Sequence, residues 1–312
     1  MRLLFFLFAA WLSGCAPSPS PPQPETPYLL VLGVAQDAGF PQAGCKKDCC
    51  RSLWSDVSAR RRVTALGLVD PVSGERWLFE ATPDLPDQLS VLAQAEPPAT
   101  EMRPDGIFLT HAHIGHYTGL MHLGREAMGA PSVPVFAMPR MTRFLTENGP
   151  WSQLVSLQNI ALQPLVADSA IVLNERLNVT PFLVPHRDEF SETVGFLIEG
   201  PQRKALFIPD IDKWDRWERD ILAQVRQVDL ALLDGTFFRN GEIPNRDMSE
   251  IPHPFIEESL SLFSALDEPD RAKVHFIHFN HTNPAIAGDE GAVGVVQEAG
   301  CRIAEEGWLF PL

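Results

Sequence analysis

The sequence predicts an α/β fold in which two β-sheets pack face to face with helices outside them. Two observations point to it. Short apolar runs of strand length come in two groups, each interleaved with helical segments. The 312 residues are 45% hydrophobic and 21% charged, the balance of a globular chain long enough to bury a large core. No internal repeat of 20–50 residues is present, which excludes solenoids and propellers.

The elements follow in order. Tyr28 to Val34 is an unbroken apolar run ending at the polar Gln36-Asp37, as in a strand covered on both faces. A cysteine-bearing loop follows, from Cys45 to Cys50. Thr64 to Val69 and Trp77 to Glu80 flank Asp70-Pro71-Val72-Ser73-Gly74-Glu75 and read as a hairpin. Pro83 to Gln94 reads as a helix with Asp84 near its start. Gly106 to Thr110 is a buried strand, Val133 to Ala137 another, and Thr142 to Asn148 a helix. Ala170 to Val179 and Phe182 to Val184 read as strands, and Thr193 to Glu199 and Lys204 to Pro209 as a hairpin around Gly200-Pro201. Trp214 to Val225 is expected to be one helix, with Trp214 and Trp217 sharing a face for core packing or a pocket rim. Leu230 to Asp234 and Val274 to Phe279 are apolar strands, with a helix from Phe255 to Ala265 between them.

The N-terminus is expected to lie outside this domain. Met1-Arg2 and the apolar Leu3 to Leu12 form a charged region and an apolar core too short to span a bilayer. The run ends in Leu12-Ser13-Gly14-Cys15, which resembles a bacterial lipobox. Residues 1–15 are therefore read as a lipoprotein signal peptide, with Cys15 lipidated and first in the mature chain. Residues 16–27 carry Pro17, Pro19, Pro21, Pro22, Pro24 and Pro27, and read as a semi-rigid polyproline tether. Residues 28–312 form the domain. It is expected on the periplasmic side of a bacterial membrane, or at the cell surface. Against 25 Lys and Arg stand 40 Asp and Glu, a net charge of −15. That balance argues against nucleic acid and against electrostatic docking on anionic lipid, because both need excess basic residues. A small-molecule substrate is expected instead.

The strongest chemical signal is His111-Ala112-His113-Ile114-Gly115-His116, directly after the strand Gly106 to Thr110. In extended chain, residues two apart point the same way, so His111 and His113 aim at one point. Gly115 permits a turn that brings His116 back. Such imidazole clusters suit zinc and similar borderline-soft divalent ions.

These residues resemble the metallo-β-lactamase-fold hydrolase superfamily, whose signature is His-x-His-x-Asp-His at the end of a strand. Within it the chain is similar to the pyrroloquinoline quinone biosynthesis protein B group and its lipoprotein-like relatives. Gly33-Val34-Ala35-Gln36-Asp37-Ala38-Gly39-Phe40-Pro41-Gln42 and His278-Phe279-Asn280-His281-Thr282-Asn283-Pro284 carry that closer match, and the resemblance covers nearly everything from Tyr28 onward. It implies a four-layer αββα sandwich of two mixed β-sheets and a metal-dependent hydrolase. It also implies that His186, after Val184-Pro185, joins His111 and His113 at the first metal. Asp210, after Phe207-Ile208-Pro209, would bridge two metals, in preference to Asp212. The last ligand would be His278, or His281 three residues on, with His275 structural.

Gly115 departs from the signature, because the family has a metal-binding Asp there. Three outcomes are open. The second site is weak or empty; or His116, Asp210 and His278 or His281 complete it; or Asp37 approaches the vacant place, although a turn role suits Asp37 better. Cys45, Cys49 and Cys50, with His281 or His253, suit a closed structural zinc site of a kind that relatives carry. A disulfide to Cys301 competes with it. Asp234 would orient a ligand histidine, and His253 would donate a proton to a leaving group.

The functional expectation is a membrane-tethered hydrolase using a zinc-activated water on a small ester, amide or phosphodiester. One or two catalytic ions and one structural zinc are expected, with iron or manganese as other candidates for the catalytic ions. The alternative is a non-hydrolytic metal-binding or redox protein linked to pyrroloquinoline quinone metabolism.

Overall fold

The computed structural model describes residues 25–312. The proposed leader over residues 1–15, with Cys15, and most of the tether lie outside the described residues. Two seven-stranded sheets form the centre. The first contains β1 (Tyr28–Gly33), β2 (Ala65–Val69), β3 (Arg76–Phe79), β4 (Gly106–Phe108), β5 (Val133–Ala137), β6 (Ile160–Pro164) and β14 (Leu309–Pro311), in the order β14-β1-β2-β3-β4-β5-β6. The second contains β7 (Ile171–Val172), β8 (Asn178–Leu183), β9 (Val194–Glu199), β10 (Lys204–Ile208), β11 (Leu230–Asp234), β12 (Val274–Ile277) and β13 (Arg302–Ile303), in the order β13-β12-β11-β10-β9-β8-β7. Both sheets are mixed. In each, antiparallel pairs come first in the chain and parallel pairs follow from β3 and from β10, with the C-terminal β14 added antiparallel to β1.

Alternation sorts the side chains of β1 into two cores. Leu29 and Val31 face the second sheet and join the inter-sheet core. Leu30 and Leu32 face outward, under the helix Leu85–Gln94, where they meet Leu85, Leu89 and Leu92. Burial on both faces explains why β1 reads as a continuous apolar run. Each such leucine contributes about 1.5–3 kcal/mol relative to exposure. Phe79 and Phe108 of the first sheet meet Phe196 of the second edge-on, with ring centroids 5.3 and 5.6 Å apart.

Two expected elements are broken. The strand expected over Ala170 to Val179 is a hairpin, β7 to β8. The Asn174 side chain accepts a hydrogen bond from the Arg176 N–H and turns the chain back. The helix expected over Trp214 to Val225 is a short turn at Trp214–Arg216 and a helix Ile221–Arg226. Trp217 donates its indole N–H to the Leu183 carbonyl, and Asp220 starts the second segment by accepting from the Leu222 N–H. Trp214 and Trp217 are both buried in the core, as expected. The strand β6 and the helices Trp151–Ser156 and Glu290–Glu298 lie in stretches with no predicted element.

The C-terminal ends of β3, β4, β10, β11 and β12 converge on one edge of the sandwich. The ends of β1 and β8 join them, and this edge carries Asp37, Glu80, His111, His186, Asp210, Asp234 and His278. Among the described residues, no helix is long and apolar enough to cross a membrane.

Candidate metal centre

The predicted histidines meet around one carboxylate. Asp210, 3% exposed, follows β10 and points both oxygens into the centre. Its Oδ2 lies 3.3 Å from His111 Nε2 and 3.6 Å from His116 Nε2, and its Oδ1 lies 3.3 Å from His186 Nε2. His111, His113, His186 and Asp210 bring donor atoms within 4.8 Å of one another. Asp212, the other candidate, faces away and pairs with Arg216 at 2.7 Å.

A second donor group consists of Asp37, His116 and His278. Asp37 Oδ1 lies 3.1 Å from His116 Nε2 and 3.9 Å from His278 Nε2. Of the three outcomes open for position 115, the structure shows the third. The loop after β1 delivers the carboxylate that Gly115 lacks. Asp37 is thus more than a turn residue. His281 does not join either group; its donor atom lies with Cys45, Cys49 and Cys50. His278 turns the chain with a φ of 67°, which separates the directions of the two histidines.

Neighbouring groups orient the ligand rings. Thr236 donates its hydroxyl to Asp234 Oδ1 at 2.7 Å, so its oxygen accepts from His278 Nδ1–H at 2.9 Å. His278 Nε2 is left with its lone pair facing Asp37. Thr110 Oγ1 lies 2.9 Å from His111 Nδ1, which leaves His111 Nε2 facing Asp210. His116 Nδ1 lies 3.3 Å from the carboxylate of Glu80, and both residues are fully buried. Sequence reasoning missed Glu80. The available signal was an acidic residue closing an apolar strand, beside the strand that feeds the histidine cluster.

The donor set fits cations. Buried side-chain polar atoms without a hydrogen-bond partner include Asp37 Oδ1, His111 Nε2, both nitrogens of His116 and His186, Asp210 Oδ1 and His278 Nε2. Outside this cluster, among the described residues, Asn159 Oδ1 alone is in that state. Each such atom costs about 1–3 kcal/mol when left unmet, and concentration of them in one place marks an ion site. Protonation agrees. Burial lowers His111 well below the usual imidazole range, with the His116 charge adding to it, and burial brings His186 down to about 4. Both are neutral ligands at pH 7. Burial acts to raise Asp210 and Asp37. It is outweighed at Asp210 chiefly by His186 and His253, and at Asp37 by His116 and His278, so both stay well below the carboxylate range.

His253 sits beside this centre. Its Nδ1 lies 2.8 Å from Asp234 Oδ2 and 3.2 Å from Asp210 Oδ1. Burial alone would lower its pKa, but the Asp234 and Asp210 carboxylates raise it to about 9. His113 is more open, and its Nε2 lies 3.1 Å from the half-exposed Glu189. His275 is structural as expected, its Nδ1–H donating to the Lys273 carbonyl between Trp308 and Phe310.

The cysteines form a separate donor cluster. Cys45 Sγ and Cys49 Sγ are 3.9 Å apart, and Cys45, Cys49, Cys50 and His281 offer donors within 4.8 Å of one another. His253, the other candidate, belongs to the Asp210–Asp234 group. Cys301 is a free, buried thiol, and no disulfide joins the described cysteines.

Known proteins share this arrangement of chain. A coenzyme PQQ synthesis protein B from Methylorubrum extorquens (strain PA1) is 25% identical over 312 residues, covering 91% of this chain and all of the relative. The protein of that name from Methylococcus capsulatus (strain Bath) is 28% identical, covering 89% and 98%. The zinc-bound PqqB crystal structure from Methylobacterium extorquens superposes with a TM-score of 0.75 at 22% identity, covering 91% of this chain and all of that one. A diphosphatase of the PhnP family superposes with a TM-score of 0.63 at 23% identity, covering 92% and 97%. The family model for the β-lactamase superfamily domain matches residues 75–279, from the hairpin through the last strand of the centre. This chain, with two mixed sheets and a histidine–aspartate centre at their edge, therefore belongs to the metallo-β-lactamase superfamily and is similar to PqqB.

Proposed function

We propose that this protein is a metal-dependent hydrolase of a small molecule bearing an ester, amide or phosphodiester bond. The observation that carries the reading is the shared position of Asp210 between two donor groups, with the Asp234–His253 pair beside it. His111, His113, His186 and Asp210 would hold one ion, and Asp37, His116, His278 and Asp210 a second. Zinc bound there supplies Lewis acidity, acidifying water and polarising the substrate's carbonyl or phosphoryl oxygen. Asp210 would offset the repulsion between two such cations. His253, charged and fixed by Asp234, would hand its proton to the leaving group. Cys45, Cys49, Cys50 and His281 would hold a structural zinc.

Cys15 would anchor the protein by lipid to the periplasmic side of a bacterial membrane or to the cell surface, with residues 16–27 as spacer. The support is the sequence pattern of the leader.

The test is elemental analysis of the purified protein with a panel of small esters, amides and phosphodiesters. Three tightly held zinc ions and hydrolysis that disappears in the His111→Ala/His113→Ala variant are expected. Activity surviving in that variant would sink the mechanism.

A second reading is a non-hydrolytic metal or redox protein connected with pyrroloquinoline quinone. Full-length similarity to proteins named for synthesis of that coenzyme favours it. Redox-active iron at the histidine centre, with no bond cleavage across the panel, would select this reading over the first.

A further inference from the structure

We propose that the cavity beside Asp37 is a recognition subsite for a small molecule whose planar apolar part carries an anionic group, and that Arg61 grips the anion. The assignment of that molecule as substrate rests on the hydrolase reading; its binding does not.

Access comes first. In the second donor group the Asp37 side chain is 35% exposed, while His116 and His278 are 0% exposed. Solvent reaches this group past Asp37. A cavity of ≈ 780 Å³ opens there, lined in part by Phe40, Trp54, Val57, Arg60, Arg61 and Ile114. That size is in the range of small-molecule sites.

The wall is apolar and fixed. Trp54, Val57 and Ile114 are 45%, 70% and 68% exposed. Single exposed apolar residues are ordinary, but three around one opening mark a binding surface. The Trp54 indole N–H donates to the Cys45 carbonyl at 2.7 Å. Arg60 donates to the Leu53 and Trp54 carbonyls at 3.1 and 2.9 Å and lies 5.9 Å from the Trp54 ring centroid. A flat face is thus held ready for a planar group.

Arg61 supplies the charge. Its backbone exchanges hydrogen bonds with Phe40 at 2.8 and 3.1 Å, which ties it to the loop bearing Asp37. Its guanidinium makes one hydrogen bond, to the Arg60 carbonyl at 3.0 Å, and no ion pair with a described residue. The other charges at the cavity are engaged or peripheral. Arg62 pairs with Glu306 at 2.9 Å, a carboxylate that Arg61 also influences without an ion pair; Asp37 faces His116 at 3.1 Å, Asp84 accepts from the Val63 N–H at 2.8 Å, and Asp87 lies exposed at the rim. In a chain with 40 acidic and 25 basic residues, a guanidinium that forms no ion pair with a described carboxylate, at the cavity beside the Asp37 donor group, is available to an anion.

The test compares benzenesulfonate with benzyl alcohol by calorimetric titration of the metal-loaded protein. A sulfonate is a poor zinc ligand, so its preference reports the guanidinium. Benzenesulfonate is expected to bind about tenfold tighter than benzyl alcohol, and Arg61→Met to remove that factor while Arg61→Lys keeps part of it. Trp54→Ala should weaken both probes. Unchanged metal content and melting temperature certify each variant, and the wild-type comparison stands alone should a variant prove unstable. Equal binding of the two probes to the wild type, or a preference that survives Arg61→Met, overturns the subsite. Selective binding without hydrolysis of any panel compound overturns the hydrolase reading and leaves the subsite standing.

Discussion

A side chain at position 115 would collide with Asp37. An ideal Cβ on Gly115 would lie 2.4 Å from both the Cα and the Oδ1 of Asp37. The missing carboxylate of the signature and the carboxylate from the first loop therefore occupy the same space, and only one of them fits. Gly115→Asp should destabilise the protein by about 1–3 kcal/mol through overpacking and displace Asp37. Metal analysis should show one ion fewer. The double variant Gly115→Asp/Asp37→Gly exchanges the carboxylate between loops and should recover that ion; failure of the recovery would show that Asp37 has another task.

Glu80 faces the far nitrogen of His116 in full burial, 3.3 Å away. Burial lowers the His116 pKa, but Glu80 and then Asp37 raise it well above the usual imidazole range. Glu80→Gln keeps the shape and removes the charge. The more weakly held ion should bind about 10–100-fold less tightly, measured by competition with a chelator. Equal affinity would reduce Glu80 to packing.

His253 should act in its protonated form. His253→Asn is expected to lower kcat by about 10²–10⁴-fold with little change in KM. The alkaline limb of the wild-type kcat profile should fall at or below pH 9, since bound cations oppose the charge that Asp234 and Asp210 favour at about 9. Asp234→Asn should move the limb to lower pH. A profile flat to pH 10 would remove His253 from proton transfer.

The cysteine cluster joins the loops that carry Asp37 and His278. Cys45 follows the loop of Asp37, and His281 lies three residues beyond His278. The same segments meet at the Ala35–Phe279 bridge, where the Gln36 N–H donates to the Phe279 carbonyl at 2.8 Å. Cys49→Ser should therefore release the ion of the Asp37 group together with the structural one, while the His111 group keeps its own. Loss of one ion alone would make the cysteine site independent.

His275 gives a pH dependence remote from the two donor groups. Burial holds its pKa down to about 4 against 6.5 in an unfolded chain. Between those values the unfolded chain binds the extra proton, so stability falls as pH drops from about 6.5 to 4. The loss approaches about 3 kcal/mol. His275→Gln should flatten that part of the acid slope in urea unfolding; an unchanged slope would assign it to other groups.

Much of the centre was legible because its residues follow apolar strands directly. His111, His113 and His116 close the β4 segment, and His186 and Asp210 follow β8 and β10, so strand endings sufficed to place them on one edge. Turn chemistry within apolar runs was harder to read. Asn174 and Asp220 each redirect the backbone by one side-chain hydrogen bond, which hydrophobic periodicity does not register. The distinction between His278 and His281 depends on a single left-handed residue, His278, with neither a glycine nor a proline to announce it.

By itself the sequence determined the strand set, the two-sheet class and the imidazole-rich edge, because these rest on local patterns of apolar and donor residues. Tertiary structure decided which carboxylate approaches the second group and which histidine faces the cysteines. Those are relations between segments far apart in the chain, as Gly115 and Asp37 are. Excluded volume settles them, and it acts only after the two sheets have packed.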